Sequence, residues 1–456
     1  MYSFRWVKMR IPCVLTIAGS DSSGGAGVQA DLKTFAALGV HGLCVLTSVT
    51  AQNTRGVLAV HPLPAGAVKK QLEAVLSDFA VRFAKTGMLA TPENIRVIER
   101  AVTRHNLQLV VDPVMISTTG HRLIQQEAEE ELLRLIERST LVTPNVFEAQ
   151  FLSGINIRTV KDLERAAREI KHRFGLGAVL VKGGHLSNRK LAVDVLLVGR
   201  KIYRFSSPRI AGRFHGAGCV YSAAITAELA KGAPMNRAVE RAREFIIHAL
   251  DSALEIGRGG LRTVNPLAQL FRRLAQLEAI EEIWTTANEL VSHPAFVDLI
   301  PEVGTNIAVV LPGARSLEDT VGLSGRIVRS GSKAVLTGFP QLGGSQHVAR
   351  ATLTAHHINP AISAGINIRF SESFVKKLKQ MGLSVYSFNR NAEPPGVKTM
   401  EWGIRTALPK NVKPPVVVYD RGGKGKEAMI RIFGSSVTQL KAVLLRLASA
   451  VYKQQK

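Results

Sequence analysis

The chain has 456 residues, 46% of them hydrophobic, with 39 glycines spread along it; it is too long for one ordinary core and too apolar for a disordered chain, so two globular domains are expected. No apolar run approaches the roughly 18 residues a membrane helix needs, and the three cysteines, Cys13, Cys44 and Cys219, are too scattered for a disulfide framework or a cysteine-rich metal site. The net charge of +24 suits nucleic acid, a membrane surface or anionic substrates; with no Lys/Arg block and no separate basic helix it points to phosphorylated small molecules, and neither a nucleic-acid nor a membrane partner is expected.

The opening MYSFRWVKMR is basic, but the apolar IPCVLTIAG behind it runs into a polar glycine loop without a small-residue cleavage site. It reads as a short leader and a first strand, and a reducing cytoplasm is expected. From residue 12 to about 232, β-branched runs alternate with helical patterns. PCVLTIAG (12–19), GLCVLTSVTAQ (42–52), QLVVDPVM (108–115), LVTPN (141–145) and AVLVKGG (178–184) each end in or near Gly, Pro, Asn or Asp, where a doubly wound parallel sheet carries its ligand loops. PENIRVIERAVTRH (92–105), with Pro92 at its start, and DLERAAREIKHRF (162–174) have the period of crossover helices.

A further helix, about 235–256, ends in the glycine-rich GRGGLRTVNP, so a first domain over 1–266 and a second, smaller α/β domain over 267–456 are expected. The second opens on a long helical pattern to about His293. It continues through IAVVLP, a GRIVR…KAVLTG pair with the form of a hairpin, the helical SQHVARATLTAHHI, INIRF, SFVKKLKQMG, VYSFN, PVVVYD and a last helix near 437–453.

Two loops of the first domain carry chemistry. AGSDSSGGAGVQADLKTFAALG (18–39) lets backbone approach a ligand at a helix start. In FHGAGCVYSAAITAELAKG (214–232), Gly216, Ala217 and Gly218 expose backbone N–H groups where a helix begins, an anion hole for a transferring phosphoryl group. Cys219 occupies the first turn, where the positive helix end is expected to lower its pKa from about 8.5 and fit it to take a substrate hydroxyl proton.

Together with TAQNTRGV (50–57), KTGML (85–89), VVDPVM (110–115), TPNVFEA (143–149) and VKGGHL (181–186), these loops resemble the hydroxymethylpyrimidine and phosphomethylpyrimidine kinases of the ribokinase-like superfamily. The resemblance implies a three-layer αβα domain with a mainly parallel sheet, using ATP and Mg²⁺. Asp31 and Gln52 would hydrogen-bond the aminopyrimidine, in a pocket shaped by Gly19, Ala26 and Met88, and Cys219 would be the base. Asn145 and Glu148 form the superfamily's N-x-x-E and, with Asp112, would hold Mg²⁺ through water, while Lys182 would contact nucleotide phosphate. Phe214 and Ala217 depart from the usual Thr-His-Gly-Thr-Gly-Cys, and Val193 precedes Asp194 where a threonine is common. A pyridoxal-type kinase is the alternative on the same fold.

In the second domain the chemistry-bearing residues are Arg326 in LSGRIVR, His347 and Arg350 in GGSQHVAR, Asn367 and Arg369 in INIRF, and Asp420 to Lys426 in DRGGKGKE. Arginines and glycine loops are what a pyrophosphate site needs; His356 and His357 read as structural. These segments, with PEVGTNIAVVLPGARSLEDTVGLSGRIVR (301–329), resemble the archaeal-type thiamine-phosphate synthase domain. The implied reaction joins hydroxymethylpyrimidine diphosphate to hydroxyethylthiazole phosphate with loss of pyrophosphate. Arg326 and His347 would stabilise the leaving group, with Arg350, Asn367, Arg369 and Lys426 as further phosphate contacts. The alternative is a domain that senses thiamine phosphates or regulates transcription. A homo-oligomer is expected.

Overall fold

A computed structural model describes residues 11–115, 123–186, 190–394, 396, 399–423 and 425–455; the leader read at residues 1–10 lies outside these. The chain divides into two compact units, residues 1–270 and 271–456.

The first unit is built on nine strands: β1 (Cys13–Asp21), β2 (His41–Asn53), β3 (Gly56–Pro62), β4 (Val81–Thr86), β5 (Gln108–Val111), β6 (Leu141–Val142), β7 (Ala178–Val181), β8 (Leu191–Val198) and β9 (Lys201–Pro208). Their order is β3-β2-β1-β4-β5-β6-β7-β8-β9. The six from β2 to β7 in that order run parallel, and β3, β8 and β9 add antiparallel edges. The parallel strands are nearly continuous apolar runs because helices cover both faces.

One face buries Val68 and Leu72 of helix Ala65–Asp78, Ile95, Ile98 and Val102 of Pro92–Arg104, and Leu163, Ala166 and Ile170 of Val160–Phe174. The other carries Gly27–Ala37, Ala217–Ala230 and Met235–Asp251. This is a ribokinase-like three-layer sandwich, with the expected strands and crossover helices in place. The hairpin-forming β8 and β9 were not anticipated. β9, the edge strand, alternates between half-buried and exposed residues and so lacks the apolar run that marks the central strands, whereas β8 buries Asp194 to Leu197 in succession.

Helix ends follow local chemistry. Thr91 accepts from Asn94 N with Pro92 at the first position, and Thr159 with Asp162 forms a capping box that opens Val160–Phe174. Gly175, at φ +64°, closes that helix behind Lys171, His172 and Arg173.

The second unit holds a seven-stranded sheet in the order Pro340–Leu342, Thr320–Leu323, Ile307–Val310, Ala364–Arg369, Met429–Gly434, Val416–Asp420, Ser384–Ser387. Neighbours are antiparallel except the last pair. Ala268–Ser292, Glu372–Gln380 and Val437–Gln455 pack on one face, Gln346–Ile358 and Thr399–Ala407 on the other. The expected hairpin is present, pairing Ile327–Ser330 with Lys333–Leu336.

Candidate functional site

The C-terminal ends of the parallel strands bring the two glycine loops together. Gly216 has φ +88°, and a Cβ there would lie 1.8 Å from the Gly25 carbonyl oxygen; one at Gly27, φ +57°, would lie 2.3 Å from that of Gly19. Only glycine permits this contact. The first intrahelical bond of Ala217–Ala230 is Val220 N to Gly216 O, 3.0 Å, so the amides of Ala217, Gly218 and Cys219 precede the ladder as an anion hole requires. A Cβ on Gly218 would sit 3.5 Å from both Asp112 Oδ2 and Lys182 Nζ, which puts the hole beside the Lys182 ammonium.

Lys182 Nζ donates to Asp112 Oδ1 at 2.7 Å, and Thr143 and Ser222 hydroxyls reach the same carboxylate at 3.3 Å. Asn145 caps helix Val146–Ser153 by accepting from Phe147 N and Glu148 N, while Glu148 Oε2 accepts from Asn145 N at 2.8 Å. Burial pushes the Glu148 carboxyl up to about 8, with Lys182 pulling down and Asp112 pushing further up. The Lys182 loop is itself held from below: Asp194, bound by Arg243, accepts from Gly183 N at 2.9 Å.

Gly19 sits at a bulge in β1, and a Cβ there would lie 2.7 Å from Ser48 Oγ and 3.5 Å from Met88 Sδ. Gly19, Met88 and the Ala26 loop are therefore neighbours, and Gln52 is half-buried at the end of β2. Asp31 lies elsewhere than expected. It is completely buried, accepting from Thr16 Oγ1 at 2.6 Å and Lys85 Nζ at 2.8 Å, so its carboxylate is committed inside the protein rather than offered to a heterocycle edge.

The expected pKa of Cys219 is also corrected. Burial pushes the thiol from an ordinary 9.0 up to about 11; Lys85 and a hydrogen bond from the Gly27 backbone pull it down, Asp31 and Asp112 push it up. The loss of solvent around the sulfur outweighs the pull of Lys85 and the Gly27 amide.

Sequence reasoning missed three residues. Lys85 is fully buried, and although burial favours its neutral form, Asp31 foremost, with Cys219 and Asp112, holds its pKa above the ordinary value. Asp21 and His215 form a second buried pair, Nε2 to Oδ2 2.7 Å. Burial works to raise the Asp21 carboxyl, but hydrogen bonds from His215 and Ser23 hold it down at about 2. Asp21 also accepts from Ser23, Gly25 and Ala26 backbone N–H groups, serving as the cap that Ala26 cannot provide. All three stand inside motifs of the first domain, but their partners lie far off in the sequence.

Because Lys85 and Asp31 are wholly desolvated, Lys85→Met is expected to cost about 3–5 kcal/mol of stability by stranding the carboxylate. Denaturant midpoints check this, and a Lys85→Met/Asp31→Leu double variant should recover much of the loss.

In the second unit the expected residues divide. Arg326 is exposed and donates to the Val303 carbonyl; His347 is exposed in the first turn of Gln346–Ile358. Their segments meet where a Cβ on Gly322 would lie 2.6 Å from Gly344 O, and the hairpin behind Arg326 is closed at its base, where a Cβ on Gly338 would lie 2.2 Å from Gly325 N. Glu427, from the DRGGKGKE loop, accepts from Glu302 N and Val303 N, so that loop braces the segment Arg326 leans on. Arg350 pairs with Glu401 at 3.1 Å, Arg369 donates to Asp298 O, and Lys426 reaches Glu393 and Thr399.

Asn367 departs from its expected role as a phosphate contact. It is buried, donating to Gly304 O and accepting from Asn306 N, and Asn306 in turn holds Leu323 O and Gly325 O. It shapes the SGR loop from inside.

Free amides at a helix start, a half-buried thiol and a lysine–carboxylate cluster gathered at the ends of parallel strands are the parts a phosphotransferase site needs. Residues 21–265 match the phosphomethylpyrimidine kinase model and 282–445 that of thiamine-phosphate synthase ThiN. The bifunctional thiamine biosynthesis protein ThiDN of Methanocaldococcus jannaschii is 33% identical over 94% of this chain and 96% of its own. A hydroxymethylpyrimidine/phosphomethylpyrimidine kinase of Rhizobium meliloti is 46% identical over 54% of this chain and 93% of its own. Among solved structures, an ADP complex of Bacillus subtilis pyridoxal kinase superposes with a TM-score of 0.53 at 36% identity, covering 57% of this chain and 99% of that one. The chain belongs to the phosphomethylpyrimidine kinase family and, along nearly its whole length, to the bifunctional proteins that join such a kinase to a thiamine-phosphate synthase domain. Among the described residues, no helix is long and apolar enough to cross a membrane.

Proposed function

We propose that residues 1–266 phosphorylate 4-amino-5-hydroxymethyl-2-methylpyrimidine and then its monophosphate with ATP, and that residues 267–456 condense the diphosphate with hydroxyethylthiazole phosphate to give thiamine phosphate and pyrophosphate. The observation that carries the kinase reading is the anion hole at Gly216–Cys219, opening beside Lys182. Cys219 takes the hydroxyl proton as the oxygen attacks; the amides of Ala217 and Gly218 receive the charge of the transferring phosphoryl group; Lys182 meets the nucleotide phosphates. Gln52 binds the heterocycle edge over Gly19, Ala26 and Met88, and Asp31 acts behind them by fixing Lys85. Phe214, which stands where the family has threonine, instead stacks against Arg262, 5.1 Å from ring centre to guanidinium.

Asp112 and Glu148 are two buried carboxylates sharing one cation, Lys182. That oxygen donor set, short of positive charge, fits Mg²⁺, which would hold through water and neutralise phosphate charge. Ion binding requires the ionised Glu148 carboxyl, so affinity should rise as pH increases through about 8. Titration of the nucleotide-free protein with Mn²⁺, followed by its paramagnetic signal at pH 6.5 and 9, checks this; Glu148→Gln should remove the pH dependence.

In the second unit, Arg326 and His347 stabilise the departing pyrophosphate, with Arg350, Arg369 and Lys426 around them and Asn367 supporting the loop. Exposed Leu58 on edge strand β3 and exposed Val49 on its neighbour β2 support a homo-oligomer. The whole reading is tested by supplying purified protein with ATP, Mg²⁺, hydroxymethylpyrimidine and thiazole phosphate. Thiamine phosphate is the expected product, and a diphosphate that accumulates without condensing would leave the second unit a sensor.

A further inference from the structure

His215 is the node where the two glycine loops and the pyrimidine site meet. It is 5% exposed, and it lies so close to the first loop that a Cβ on Gly25 would come 2.4 Å from its Cδ2. Its Nε2 is 2.7 Å from Asp21 Oδ2, 3.3 Å from Ser23 Oγ and 3.1 Å from the end of the Gln52 amide assigned as Nε2, an assignment that only the hydrogen-bond network can decide. Three polar groups thus converge on a nitrogen that carries either one proton or one lone pair.

A carboxylate accepts only, and at 2.7 Å an unprotonated Nε2 would set lone pair against lone pair. The proton is therefore on Nε2, directed at Asp21. With that proton in place, Nε2 has no lone pair to receive the Gln52 amino group, and the part of the amide that can face it is the carbonyl oxygen. The other end then turns toward Thr50 Oγ1, 3.4 Å from the amide. That hydroxyl already donates to Ser20 O at 2.9 Å and is free to accept. Every donor in the cluster finds an acceptor in this arrangement, and in the reversed one two donors collide.

We propose that His215, clamped by Asp21, is a specificity-determining positioning residue: it fixes which end of the Gln52 amide faces the ring of the substrate. Gln52 then presents its N–H₂ group to a ring-nitrogen acceptor of an aminopyrimidine. A pyridine ring flanked by a phenolic hydroxyl, as in pyridoxal, offers a different order of donors and acceptors along its edge. This rests on the reading of Gln52 as the heterocycle contact.

The test is steady-state kinetics of the full chain with hydroxymethylpyrimidine and with pyridoxal, for wild type, Gln52→Ala, His215→Leu, His215→Gln and the Gln52→Ala/His215→Leu double variant. Loss of one oriented hydrogen bond should raise KM for hydroxymethylpyrimidine in His215→Leu by about 10- to 30-fold, leave KM for ATP within about 2-fold, and lower the preference over pyridoxal by a similar factor. His215→Gln, which keeps an N–H donor near the Nε2 position, should recover most of the loss, and the double variant should be no worse than Gln52→Ala. Equal losses in kcat and in both KM values, no recovery in His215→Gln, or additivity in the double variant would make His215 a packing residue and overturn the proposal. A folded Gln52→Ala enzyme with unchanged KM for the pyrimidine would instead sink the reading of Gln52, whatever His215 does.

Discussion

Cys219→Ala is expected to slow pyrimidine phosphorylation by about 10²–10⁴-fold, the usual contribution of a positioned general base, while condensation continues when the pyrimidine diphosphate is supplied. The pH profile makes the prediction sharper than the loss alone. With the thiol pushed up to about 11, the thiolate is a small minority at neutral pH, so kcat/KM for phosphorylation should climb close to tenfold per unit between about pH 7 and 10. The alanine variant should lose that slope and keep only what the anion hole supplies. The same shift has a sign for stability. The folded protein holds the thiol proton more tightly than the unfolded chain, so this contribution is complete below pH 9 and is lost as pH rises through about 11. Single-turnover rates across pH, with parallel unfolding curves, separate the two effects.

What was legible in the sequence was what lies close together along it. Gly216 to Cys219 form one contiguous turn, and a glycine–X–glycine before a small-residue helix marks a helix start with free amides without any knowledge of the rest. The central strands were legible for a related reason: burial on both faces leaves an apolar run that local composition reveals. Asp21 and His215 are 194 residues apart, and their bond exists only because the segment leading into the Ala217–Ala230 helix comes to the C-terminal end of β1. Lys85 was illegible for the opposite reason. A lysine is expected in solvent, and nothing local says that this one ends beneath a sheet beside Asp31. Asp31 and Asn367 were expected at ligands because polar residues near glycine loops usually face them; across the fold each has buried partners that hold its side chain inside the protein.

Arg326→Ala and His347→Ala are each expected to lower condensation by about 10²–10³-fold, the scale for removing one preorganised donor to a developing charge, with phosphorylation unchanged. The geometry explains why neither should unfold the protein. Both side chains are exposed, and the loops that carry them are held by other groups: Asn306 and Asn367 under the SGR turn, Glu427 behind Val303, and the Gly322–Gly344 contact. Arg326→Lys should rescue poorly, because a point charge cannot replace the two-pronged donation that a pyrophosphate oxygen pair accepts. Asn367→Ala should differ in kind, losing condensation together with thermal stability, since it removes the buried amide that fixes the loop. Assayed side by side with Cys219→Ala, these variants form a double dissociation. If Arg326→Ala also slowed phosphorylation in a folded protein, the two reactions would not occupy separate sites, and the division of labour between the two units would have to be abandoned.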